Sequence, residues 1–165
     1  MRQTKKITLS AILVALGVAF MALGAVLDVL DLSVCALASL LVVFVYLEIG
    51  SPYTWLVWLC TTLITAIIFP GRVMLVEYVL VIGIYPIIKA YIERLPRFLW
   101  WGVKLVFFNI IVWALFLVVE FILGIPFFEG DSFIWKAALY VLMNVPFVAY
   151  DMFIPDMVRL YFEKF

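Results

Sequence analysis

The sequence predicts an all-α, polytopic membrane protein: a bundle of six transmembrane helices with both termini inside. Three observations predict it. Of the 165 residues 69% are hydrophobic and 13% charged, against about 45–50% and 25% in domains that fold in water. A soluble fold of this composition would expose apolar patches far larger than water tolerates. Polar punctuation divides the chain into six apolar stretches near the roughly 20 residues that a 30 Å bilayer core requires. Basic residues fall mostly on one side of the resulting zigzag, which sets its orientation.

The spans are expected at 7–27, 32–47, 53–69, 73–92, 99–123 and 134–153, with breaks at Asp28 to Asp31, Glu48 to Pro52, Pro70 to Arg72, Glu93 to Arg97 and Pro126 to Asp131. Arg2, Lys5 and Lys6 precede the first span in the manner of a signal peptide. The apolar run is too long for a signal h-region, and no small-residue cleavage site leads into a polar chain, so it reads as a retained helix. The second and third spans are short, and tilting or incomplete crossing is open for both. Pro86 and Pro146 interrupt the fourth and sixth, where a missing backbone donor kinks a helix and such breaks can line a cavity. The tail from Asp156 to Phe165 mixes aromatic, aliphatic and charged residues and is expected to end the sixth span at the interface. No internal repeat, Gly/Ser linker or low-complexity tract divides residues 1–165, which read as a single integral membrane domain.

With a cytoplasmic N-terminus, Arg2, Lys5, Lys6, Lys89, Arg94, Arg97, Lys104, Arg159 and Lys164 lie inside, and only Arg72 and Lys136 outside. That bias predicts a multi-pass protein of the cell membrane with both ends cytoplasmic. Lys89 and Lys104, near the inner ends of their spans, read as snorkelling anchors.

Composition also removes whole function classes. Eleven Lys plus Arg balance eleven Asp plus Glu, so the basic footprint of a nucleic-acid binder is missing. Histidine is absent and Cys35 and Cys60 are isolated in apolar runs, which argues against a metal site, a bound cofactor or a histidine base. Both thiols read as small packing residues. The chain has no G-x-x-x-x-G-K-[ST] loop to cradle a nucleotide. Tyr150-Asp151 matches half of an intramembrane aspartyl protease, but the G-x-G-D partner is missing and one carboxylate forms no shared-proton dyad. No catalytic residue is assigned, and the chain is not expected to be an enzyme.

Polar groups at membrane depth cost about 2.5–3.5 kcal/mol each and therefore face a partner or a cavity. Asn109, Trp113 and Glu120 share one stripe of the fifth span, and Tyr140 and Asn144 are neighbours on the sixth, with Asp151 continuing their face inward. Glu77 begins the fourth span close to Arg72. The candidate substrate-binding residues are Glu77, Trp113, Glu120, Tyr140 and Asn144, expected between spans four, five and six beneath the loop Asp28 to Asp31. Two carboxylates and aromatic rings suit a small cationic or hydrogen-bond-donating ligand. Plainer roles stay open for each polar group: an ion pair of Glu77 with Arg72, snorkelling for Glu120, and interhelical hydrogen bonding for Tyr140 and Asn144.

In the first span Ala11, Ala15, Ala19 and Ala22 fall at i, i+4, i+8 and i+11, a row of small side chains that lets another helix backbone approach closely. Packing of that row against the protein's own spans is the alternative. A short chain of six spans, a basic N-terminus and Ala11-x-x-x-Ala15 together resemble the substrate-binding S component of energy-coupling factor (ECF) transporters. The resemblance implies capture of a small, vitamin-like molecule from outside, toppling in the membrane to release it, and docking of Ala11, Ala15 and Ala19 onto a T-type transmembrane subunit that carries two ATPase subunits. In size and span count the chain is also similar to the rod-shape membrane protein D family, which implies a scaffold without a small-molecule pocket.

Overall fold

The structure, a computed structural model, describes residues 3–27, 30–124 and 133–164. Asp28 of the expected cover loop, together with Arg2, Glu129 and Asp131, lies outside the described residues, as does the side chain of Lys136. The elements are α1 (Gln3–Leu27), α2 (Asp31–Glu48), α3 (Ser51–Ile68), α4 (Val73–Glu77), a π-helical turn Tyr78–Ile82, α5 (Tyr85–Ile92), α6 (Arg97–Phe121) and α7 (Phe133–Lys164). Among the described residues there is no strand, and six helices are long and apolar enough to cross a membrane. The fourth of these, Val73–Ile92, is built from α4, the π turn and α5.

Helix is the form that satisfies every backbone donor and acceptor inside one segment, which is why an apolar chain without water adopts it throughout. The short spans are long enough. At 18 residues each, α2 and α3 reach about 27 Å at 1.5 Å per residue, close to the bilayer core. The prolines act differently from one another. Pro86 sits in the first turn of α5, where its missing donor costs nothing, and the irregular stretch precedes it. Pro146 and Pro155 lie inside α7, which continues unbroken for 32 residues. The tail after Pro155 continues the same helix to Lys164, beyond the window 134–153 expected for the sixth span. Each proline removes one hydrogen bond, but the remaining amides still lack water and keep their helical partners.

Three apolar clusters hold the bundle. Leu13, Val42, Val45, Val57 and Ile87 join α1, α2, α3 and α5; Met21, Ala25, Cys35, Ala38, Met74, Tyr78 and Ile82 join α1, α2 and the start of the fourth span. The third is aromatic. Tyr85, Phe108, Phe116 and Phe147 pack with Val43, Val112, Leu115, Val119 and Ile154, and Phe108 stacks on Phe147 with centroids 4.0 Å apart.

The inward face of α1 is made of small residues at seven-residue spacing. Ser10, Gly17 and Gly24 are buried there with Leu13 and Met21. A Cβ on Gly17 would stand 3.2 Å from Thr61, and one on Gly24 would stand 2.6 Å from the Met74 sulfur. Ala11, Ala15 and Ala19 lie on the other side of the helix and are exposed, with Ala22 half-buried.

Candidate functional site

Between α2, the fourth span, α6 and α7 lies a cavity of about 290 Å³. Its wall is set by helical spacing. Glu77, Val81 and Tyr85 follow at i, i+4 and i+8 on the fourth span, facing Phe108, Val112 and Leu115 of α6 and Met143, Phe147 and Tyr150 of α7, with Leu32, Ser33 and Ala36 of α2 completing it. The π turn contributes directly. Its bond from the Gly83 amide to the Tyr78 carbonyl, 2.8 Å long, inserts one residue into the turn and shifts the side chains that follow by one position.

Two tyrosines of the wall have their hydroxyls engaged elsewhere. Tyr150 is hydrogen-bonded to Ser39 and donates weakly to the Ile82 carbonyl at 3.5 Å, whereas Tyr85 donates to Asp151 Oδ1 at 2.5 Å. Both therefore offer the cavity their rings. Glu77 is the charged residue of the wall, and its Oε2 is buried without a hydrogen-bond partner. Arg72 is exposed and has a partner of its own; the unpartnered Glu77 oxygen takes no bond from it.

The five residues proposed from the sequence are not brought together. Glu77 lines the cavity. Tyr140 and Asn144 are not among its lining residues and form a hydrogen-bonded set with Asn109: Asn109 Nδ2 donates to Asn144 Oδ1 at 3.2 Å, and the Tyr140 hydroxyl donates to the Asn109 carbonyl at 3.2 Å. These two bonds between α6 and α7 are interhelical bonding of the ordinary membrane kind, while Asn109 and Asn144 also donate within their own helices to the carbonyls four residues before them. Trp113 is 57% exposed, on a shallow groove of α6 with Leu105, Val106 and Ile110, and Glu120 is exposed. Their stripe faces away from the cavity because Val112, Leu115, Phe116 and Val119 occupy the inner face of α6.

A charged cluster that the sequence did not reveal lies next to the Tyr85 hydroxyl. Asp151, 3% exposed, accepts from Lys89 and, through Oδ2 at 2.9 Å, from Lys104. Lys89 also donates to the Asp151 carbonyl at 2.7 Å, and Glu93 accepts from Lys104 at 2.8 Å with Lys89 at 3.3 Å. The reading of Lys89 and Lys104 as snorkelling anchors is corrected: both are 4% exposed, because Asp151 supplies an anion at their own depth and spares their stems the reach to the interface. One signal for this lay in the sequence. Lys89, Lys104 and Asp151 are ionisable groups within three spans, and such groups pair with one another.

No known protein family, curated protein or solved structure matches the chain.

What the arrangement offers chemically is binding. Tyr85 links the two features, with its ring in the cavity wall and its hydroxyl on Asp151. Among the described residues no group of three His, Cys, Asp or Glu is placed to hold a metal ion.

Proposed function

We propose that this membrane protein is the substrate-binding subunit of an ECF-type ATP-driven importer, with both termini in the cytoplasm, capturing a small molecule from outside. The observation that carries the reading is the cavity of about 290 Å³, near the lower end of the range of roughly 300–1,000 Å³ for ligand sites. A bundle that served only as a scaffold gains from filling such a space, since voids forfeit packing. On the positive-inside orientation the cavity lies in the outer half and the Lys89, Lys104 and Asp151 cluster toward the cytoplasm. A ligand then enters past the N-terminus of α2.

The exposed row Ala11, Ala15 and Ala19 supports docking on a T-type transmembrane subunit that carries the ATPases. Small side chains let a second helix backbone approach until dispersion contacts hold it, the main source of association between helices in lipid. Co-expression with T-type and ATPase subunits tests this. The wild-type chain is expected to co-purify with them, and Ala15→Trp to lose them while melting at the same temperature in detergent. Failure of the wild type to retain a T-type subunit, with recovery of cell-wall synthesis proteins instead, would replace the importer reading with the scaffold role of rod-shape membrane protein D.

A further inference from the structure

The cavity contains one charge and a great deal of apolar surface, and the two together restrict what can occupy it. Ten of its fourteen lining residues are aliphatic or phenylalanine side chains; the others are Ser33, Glu77, Tyr85 and Tyr150. Glu77 Oε2 is buried and unpartnered, and so is Oδ1 of Asp31 at the start of α2, whose carboxylate is close enough to act on Glu77 through space. Asp31 has a local support in the positive end of α2. Glu77 stands within a continuing helical span and has no such end to lean on. A buried carboxylate without a donor is costly to ionise, and a cation that brings N–H donors offsets that cost where an anion would add to it.

We propose that the cavity binds a small organic ammonium with a compact aromatic or branched apolar body, its nitrogen held by Glu77. The ammonium pairs with the carboxylate of Glu77 in the cavity wall, and the Asp31 carboxylate adds attraction. The apolar body lies between Phe108, Phe147 and the Tyr85 and Tyr150 rings, where a cation also gains from the ring faces. The proposal names the ligand class for the site on which the importer reading rests. It is tested on the chain alone, so a failed partner capture and a failed ligand assignment are distinguishable.

The probes are 2-phenylethylammonium, its neutral counterpart 2-phenylethanol and its anionic counterpart 3-phenylpropionate, titrated calorimetrically against purified protein in nanodiscs. The ammonium is expected to bind at least tenfold more tightly than the alcohol, with no binding of the carboxylate. Glu77→Gln, which keeps shape and removes charge, is expected to weaken the ammonium at least tenfold and leave the alcohol unchanged. Val112→Trp fills the chamber with Glu77 in place and is expected to abolish ammonium binding, which keeps the test decisive where the glutamine variant folds poorly. Equal affinity for ammonium and alcohol, undiminished ammonium binding in a folded Glu77→Gln or Val112→Trp protein, or no ammonium binding up to millimolar concentration would each overturn the proposal.

Discussion

Asp151 receives Lys89, Lys104 and Tyr85 at once, and each of these bonds offsets the cost of taking a charge out of water. That cost is several kcal/mol per ion, so the members are stable only as a set. Asp151→Asn retains the shape and removes the anion, leaving two ammonium groups buried with only Glu93, whose side chain is 32% exposed, to balance them. Loss of about 3–5 kcal/mol is expected, the usual effect of removing one partner from a buried pair. Replacing the set together, as Lys89→Met, Lys104→Met and Asp151→Leu, is expected to cost far less, since the charge then left without these partners is Glu93, whose side chain is 32% exposed to solvation. Thermal melting of both proteins in one detergent checks the contrast; equal destabilisation would show that packing, and not charge, dominates there.

Helix α1 has two rows of small residues with opposite uses. Ser10, Gly17 and Gly24 face the bundle, where the missing side chain at Gly17 lets α3 approach to the Thr61 contact. Ala11, Ala15 and Ala19 face outward. Gly17→Leu therefore has to push α1 and α3 apart or distort rotamers, an overpacking penalty of about 1–3 kcal/mol. Ala15→Leu adds a side chain on an exposed face and is expected to leave the melting temperature unchanged. Equal losses in the two variants would mean that the alanine row packs internally. The same element scale explains Gly83, where a Cβ would lie 2.6 Å from the Tyr78 carbonyl; the π turn brings that oxygen close because its bond spans five residues.

For the whole molecule the importer reading has all six spans crossing, with both ends on one side of the membrane, and the bias of Lys and Arg predicts that this side is the cytoplasm. Single cysteines at positions 3 and 164, in a chain carrying Cys35→Ala and Cys60→Ala, report it. A membrane-impermeant thiol reagent is expected to label neither in intact cells and both after permeabilisation. Labelling of either from outside would reverse the orientation and place the cavity toward the cytoplasm.

The sequence by itself determined that the chain is all-helical, that it has six apolar spans, and where the ends of the first five fall to within a few residues. Those properties are local: helical hydrogen bonds close within one segment, and the apolarity that makes water unavailable is counted along that same segment. Only the tertiary structure decided which side of each helix faces its neighbours. Lipid is as apolar as the bundle interior, so these helices are apolar all round and their periodicity carries little inside-from-outside signal. Hence the stripe of Asn109, Trp113 and Glu120 was legible as a stripe, while the outward position of Trp113 and Glu120 was not. The meeting of Lys89 and Lys104 with Asp151 joins residues 62 and 47 positions apart. Side chains that far apart find each other because a stranded charge in lipid is costly, and it is the packing of whole helices that settles which partner is within reach.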